Sequence, residues 1–190
     1  MKQIESTAVP LPIENIDTDQ IIPARFLKTV KKEGLGDKLF YIWRKKPSFV
    51  LNNKNYSGEI LVTGGNFGCG SSREHAVWAL LDYGFRAVVS SSFADIFYNN
   101  SLNNGLLPVR VSEKFLKMIF LALKENPKVK ITIDLNSQIV LVPGKKMKER
   151  FEIDPYKKLC LIKGYDDVDY LLSLKDKIIR FEKKRKRRKG

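Results

Sequence analysis

The sequence predicts an α/β domain with some antiparallel or mixed sheet. Three observations lead there. Short apolar runs of strand character alternate with stretches of helical period between residues 59 and 123. Gly84, Gly105 and Pro127 close those helical stretches. The chain from 129 to 153 is then rich in strand-like segments. The 190 residues suit one domain, able to bury roughly 70% of its unfolded surface. No internal repeat and no Pro/Gly/Ser linker divides it.

Taken in order, residues 8–13 form an apolar run broken by Pro10 and Pro12, which suits a sheet edge or an extended entry segment. Residues 15–23 carry Asn15, Asp17, Thr18 and Asp19, side chains that make Asx turns and helix caps. Residues 28–55 are polar, basic and Gly-punctuated, and read as a long mobile loop with one short helix near 39–43. Residues 59–63 read as a buried strand and 64–72 as a glycine-rich turn. After Arg73, Ala76, Val77, Leu80 and Leu81 recur at helical spacing. A second strand follows at 85–91, a helix at 94–104 and extended chain at 106–111. Ser112 then caps a helix whose Phe115, Leu116, Ile119, Phe120 and Leu123 form one apolar stripe. Residues 129–135 and 139–142 read as strands, 151–153 as a third, and Cys160 as a core residue of another. Asp166 is expected to cap a helix that turns Val168, Leu171, Leu172, Ile178 and Ile179 inward.

Composition narrows the chemistry. Two cysteines and one histidine can neither build a disulfide framework nor fill a four-ligand zinc site or hold an iron–sulfur cluster. Such sparse cysteine fits a reducing, cytoplasmic compartment. The N-terminus lacks a signal-peptide core. The longest apolar run, near 118–123, falls far short of the ~20 residues of a membrane span, so no membrane partner is expected. The net charge is +14, and seven consecutive cations, from Lys183 to Lys189, supply half of it. Such a run repels itself and is expected to fray beyond Phe181 as a disordered tail over 183–190. No RNA-recognition consensus, zinc finger or heptad basic region supports sequence-specific nucleic-acid binding.

The segment from 64 to 75 carries the chemistry. Gly64, Gly65, Gly68 and Gly70 lead from a strand toward a helix, with Ser71, Ser72 and Arg73 at its start. Such a turn can aim backbone amides at one point beside the positive end of a helix dipole, so Gly68, Cys69 and Gly70 are expected to form an anion loop. Arg73 offers a planar fork for a carboxylate or phosphate. This is neither a Walker loop nor the dinucleotide fingerprint, and no G-x-S-x-G elbow is present. The competing structural reading makes Ser71 a plain N-cap. Cys69 is read as a small filler and His75 as a packed helix residue.

Residues 66–76 resemble the signature of the small-subunit family of 3-isopropylmalate dehydratases, in the aconitase superfamily. Two further blocks agree in the same order, at 15–27 and at 91–97 leading into 103–108. The likeness extends over about residues 7–181. It implies a single swivelling β/β/α domain over 1–182, like the aconitase C-terminal domain, with 183–190 outside the family pattern. It implies a separate large subunit holding a [4Fe-4S] cluster that takes the leaving hydroxyl as Lewis acid, with no cofactor or metal on this chain. The substrate would be a dicarboxylate, 2-isopropylmalate, isomerised to 3-isopropylmalate in leucine biosynthesis. By the same resemblance Ser71 is the base, Ser72 and Arg73 bind a substrate carboxylate, Asp19 faces the site, and Lys28 and Thr29 lie where substrates are sorted. Two alternatives stay open: the same fold acting on homoaconitate or a methyl-substituted malate, and a basic RNA-binding or assembly protein.

Overall fold

A computed structural model describes residues 1–28 and 31–187. In chain order its strands and helices are β1 (Gln3–Ser6), β2 (Ala8–Leu11), α1 (Thr18–Ile21), β3 (Ile60–Thr63), α2 (Glu74–Tyr83), β4 (Ala87–Ser90), α3 (Asp95–Asn104) and β5 (Leu107–Arg110). There follow α4 (Glu113–Glu125), β6 (Ile131–Asp134), β7 (Ile139–Val142), β8 (Met147–Arg150), α5 (Pro155–Lys163), α6 (Asp167–Ser173) and α7 (Lys175–Arg187). Among the described residues the strands make two four-stranded sheets, one in the order β2-β3-β4-β5 and one in the order β1-β6-β7-β8. The first is parallel throughout, and the second antiparallel.

Strand alternation sets the layers. Ile60, Val62, Ala87, Val89, Leu107 and Val109 point from the parallel sheet into a core shared with Ile131, Ile133, Val140 and Val142 of the antiparallel sheet. The intervening Val9, Leu61 and Val88 point the other way, onto Ala76, Val77 and Leu80 of α2 and Phe97 of α3. The parallel sheet is therefore buried on both faces, which is why its strands read as continuous apolar runs rather than alternating ones. The result is a β/β/α arrangement, in agreement with the expected fold class. Pro10 and Pro108 both sit in edge strands of that sheet, where a missing N–H costs no ladder bond. Gly84 and Gly105 end α2 and α3 with left-handed backbone, and Ser112 caps α4 by accepting from the Phe115 amide, all as the sequence indicates.

Several expectations need correction. Residues 28–55 carry not one short helix but three 3-10 turns, Gly36–Lys38, Trp43–Lys45 and Val50–Asn52. Phe40 takes left-handed backbone there, with φ +47°, which interrupts a helix at 39–43. Leu35, Leu39 and Phe40 are nevertheless buried, and the Phe40 amide donates to Ile21 O at 2.7 Å. The third strand lies at Met147–Arg150, and residues 151–153 continue beyond it without strand pairing. That polar strand escapes a propensity argument, yet charges are what an exposed edge strand uses to discourage pairing. Cys160 is buried in helix α5, not in a strand; Asp154 followed by Pro155 is a helix start. Asp166 does cap α6, with a capping box to Asp169. The apolar residues beyond it, however, face outward: Val168, Leu171, Leu172, Ile178 and Ile179 are all exposed. Finally, α7 spans Lys175–Arg187 and so extends past Phe181. Residues 188–190 of the expected tail lie outside the described residues.

Candidate active site

The chain leaves β3 at Thr63, at the carboxyl end of a parallel sheet, where such folds place ligands. Two distant segments stitch the glycine turn in place. From 15–18, the Asn15 amide donates to Gly65 O at 2.9 Å, and the Thr18 amide to Cys69 O at 3.0 Å. In return, Ile16 O accepts from the amides of Gly68 and Cys69 at 2.8 and 3.2 Å. From 90–94, Ser90 Oγ donates to Gly64 O at 2.6 Å, Ser92 Oγ accepts from the Asn66 amide at 2.8 Å, and the Ala94 amide donates to Phe67 O at 3.1 Å. The three sequence blocks that carry the family resemblance are therefore one structure in space.

Gly68 shows why the turn needs glycine. Its φ is +77°, and a Cβ there would stand 2.2 Å from the Phe97 ring. Phe97 in turn packs edge-on against Phe67 at 5.1 Å between centroids, so the ring cannot step aside.

Ser71 and Ser72 are exposed and precede α2. The N-cap is Arg73, and its side chain makes no capping bond, so the reading of Ser71 as an N-cap does not hold. The expected anion loop also changes. The Gly68 and Cys69 amides are already committed to Ile16 O, whereas those of Gly70, Ser71 and Ser72 have no hydrogen-bond partner among the described residues. Ser71 Oγ has none there either. The donors without a partner lie two residues further along the chain than expected.

Arg73 is largely buried and donates to Asp19 Oδ1, while Asp19 itself is about half exposed. The Ala24 amide donates to the same carboxylate oxygen at 3.2 Å. The Arg73 guanidinium holds the Asp19 carboxyl below the usual carboxylate range, against the opposing effect of desolvation. Asp19 sits in α1, whose start is fixed by a capping box between Asp17 and Gln20. Burial, and secondarily Asp17, push the Cys69 thiol up, so it stays protonated and suits a filler better than a nucleophile. His75 packs on Trp78 with 4.6 Å between ring centroids.

A cavity of about 270 Å³ opens at this point, lined by Thr18, Gly70, Ser71, Ser72, Arg73 and Asp95, among others. Asp95 also lines a larger groove of about 1010 Å³, where Arg110 and Arg150 stand among Glu149, Glu152 and Asp154. That surface has mixed charge and carries neither Ser71 nor Ser72; the smaller cavity is the candidate site. Of the residues the sequence singles out, the structure brings Asp19, Gly68, Cys69, Gly70, Ser71, Ser72 and Arg73 together. Lys28 is exposed just beyond the 3-10 turn Ala24–Phe26 and does not line the cavity. Thr29 lies outside the described residues. Sequence reasoning assigned no site role to Thr18 or Asp95, although both lie inside the recognised blocks.

Among the described residues, no group of three or more His, Cys, Asp or Glu side chains could hold a metal ion, and Cys160 is buried in α5 away from Cys69. The described residues therefore do not fit a [4Fe-4S] cluster, which needs several thiolates at one point. Among the same residues, no helix is long and apolar enough to cross a membrane.

Residues 1–114 match the aconitase C-terminal domain family. The 3-isopropylmalate dehydratase small subunit of Cytophaga hutchinsonii is 61% identical, over 95% of this chain and 92% of that protein. The proteins of the same name from Christiangramia forsetii and Rhodopseudomonas palustris are 55% and 50% identical, each over 96% of this chain and over 92% and 94% of their own lengths. The crystal structure of 3-isopropylmalate dehydratase from Methanocaldococcus jannaschii superposes with a TM-score of 0.69 at 31% identity, over 95% of this chain and 99% of the other.

Proposed function

The chain belongs to the family of 3-isopropylmalate dehydratase small subunits, hydro-lyase subunits of the aconitase superfamily, and from that premise we propose that it supplies the proton-transfer and carboxylate-binding half of a site completed by a large subunit. The reaction is the isomerisation of 2-isopropylmalate to 3-isopropylmalate in leucine biosynthesis, by loss of water and its return across the same two carbons. The carrying observation is the convergence of residues 15–19 and 90–94 on the turn that leads into Ser71, Ser72 and Arg73, with Thr18 bonded directly to Ser71 and Asp19 to Arg73.

Ser71 Oγ, as alkoxide, takes the proton from the carbon beside a substrate carboxylate. The hydroxyl leaves the neighbouring carbon and a double bond forms between them. Water then adds with the opposite orientation, and Ser71 returns the proton to the other carbon. A serine is a weak base unless its negative charge is stabilised. The free amides of Gly70, Ser71 and Ser72 and the Arg73 guanidinium are the available stabilisers, and they act strongly only once water is excluded. Ser71 is exposed in the isolated chain, so exclusion requires the large subunit to cover it.

Ser72 and Arg73 hold a substrate carboxylate, and Asp19 keeps the Arg73 fork oriented before substrate arrives. Lys28 and Thr29 are assigned the sorting of substrates by the family resemblance, although Lys28 does not line the cavity of the isolated chain. A [4Fe-4S] cluster belongs to the large subunit in this reading. The enzyme acts in the cytoplasm, with residues 1–182 as its working domain and 183–190 as a basic appendage.

The test is reconstitution. The chain alone is expected to be inactive on 2-isopropylmalate. Mixed anaerobically with a cluster-bearing large subunit, it should give turnover and the ultraviolet absorbance of the unsaturated intermediate. Inactivity of the mixture on this acid, with turnover of homoaconitate or a methyl-substituted malate, would shift the substrate and keep the site.

A further inference from the structure

We propose that Thr18 is the positioning residue for Ser71, an inference that rests on reading Ser71 as the base. Ser71 stands on an exposed turn, three residues before the first residue of α2 and without a partner for its hydroxyl among the described residues. Thr18, by contrast, is only 2% exposed and belongs to a helix fixed by the Asp17–Gln20 capping box.

Thr18 makes two bonds to the turn. Its amide donates to Cys69 O at 3.0 Å, and its hydroxyl donates to Ser71 O at 2.9 Å. These two carbonyls flank Gly70, whose φ is +84°. A trans peptide is planar, with its N–H opposed to its C=O. Fixing Cys69 O therefore fixes the direction of the Gly70 amide, and fixing Ser71 O fixes that of the Ser72 amide. Both amides are among the three unpartnered donors of the turn, and both are aimed away from Thr18. One buried residue thus sets two of the anion-stabilising donors, its amide fixing that of Gly70 and its hydroxyl that of Ser72, with the Cα of Ser71 between them. The next residue, Asp19, holds Arg73, so α1 orients the Gly70 and Ser72 amides and the guanidinium on which the serine depends.

The hydroxyl is the part that matters. Valine has the same shape as threonine and lacks the donor; serine keeps the donor and lacks the methyl group. Ser71 lies at the surface, so water can take over its carbonyl in Thr18→Val without unfolding the chain.

The experiment compares native, Thr18→Val and Thr18→Ser small subunits, each reconstituted with the large subunit and also studied alone. Thr18→Val should lower kcat by about 100-fold, the cost of a misplaced reacting group, with KM for 2-isopropylmalate little changed. Thr18→Ser should recover kcat to within about fourfold, the loss attributable to one buried methyl. In the isolated subunit, backbone order parameters at residues 71 and 72 should stay near 0.85 in native and Thr18→Ser and fall below about 0.6 in Thr18→Val, while Gly70, held through the Thr18 main-chain amide, keeps its order. Unchanged order parameters in Thr18→Val, or a kcat loss that Thr18→Ser does not recover, would overturn the positioning role. Normal turnover by Ser71→Ala would instead remove the premise, and the order parameters tell the two failures apart because they need no chemistry.

Discussion

Residues 64–73 and residues 167–187 differ in what the rest of the chain brings to them. The glycine turn has no repeating hydrogen bonds of its own, yet partners from 13–18 and 90–94 hold its backbone from Gly64 to Ser71. Helices α6 and α7 have their own internal hydrogen bonds and an apolar periodicity, yet Val168, Leu171 and Leu172 are 62%, 58% and 64% exposed. A local pattern marks where a helix lies. It does not provide a surface for the helix to cover, whereas an irregular turn persists only if distant residues are built to fit it.

The contrast can be broken at its strongest point first. Gly68→Ala must place a Cβ against Phe97 in left-handed backbone. Strain and overpacking together should cost about 2–5 kcal/mol, seen as a large fall in the urea midpoint of the isolated subunit. Leu171→Ala, in contrast, should stay within about 0.5 kcal/mol of native. A cost above that for Leu171 would mean that α6 is covered in solution. The next effect is kinetic. Arg73→Gln removes a charge-assisted contact of about 1.5–3 kcal/mol, so kcat/KM of the reconstituted enzyme should drop by about 10- to 100-fold while the fold survives. Lys28→Ala sharpens the picture at the edge of the site. It should alter the preference between 2-isopropylmalate and a methyl-substituted malate by about tenfold, the scale of one apolar contact, without changing stability.

The smallest effect is a pH dependence. Arg73 depresses the folded-state value of Asp19 below its ordinary 3.8, so the unfolded chain binds more protons over that interval. The pair's contribution to stability is therefore fully present above the unfolded value and is lost as pH falls through the lower folded value. Asp19→Asn should be slightly less stable than native at neutral pH, and the gap should close below pH 3.8. A gap that persists in acid would show that packing, not charge, holds Asp19.

Much of this was legible before the structure. The alternation of strands and helices, the glycine stops at Gly84 and Gly105, and the Ser112 cap are local signals and appear where the sequence puts them. The serine–arginine turn was legible too, because glycine there answers a backbone demand. What the sequence could not disclose was long-range. Nothing in residues 64–70 says that Ile16 O already occupies the Gly68 and Cys69 amides, which moves the free donors to 70–72. Nothing in the polar run 147–150 says that β7 lies beside it to make a strand. The outward face of α6 likewise depends on which elements pack nearby, not on its own periodicity.

The central claim is that Ser71 moves the carbon-bound proton. Its most direct test is exchange of that proton with deuterated solvent, followed by NMR on 2-isopropylmalate with native and Ser71→Ala small subunits reconstituted with the large subunit. Exchange and turnover should fall together by about 10²- to 10⁴-fold in Ser71→Ala, with substrate affinity nearly unchanged because Ser72 and Arg73 remain. Exchange at the native rate without the Ser71 hydroxyl would contradict the account.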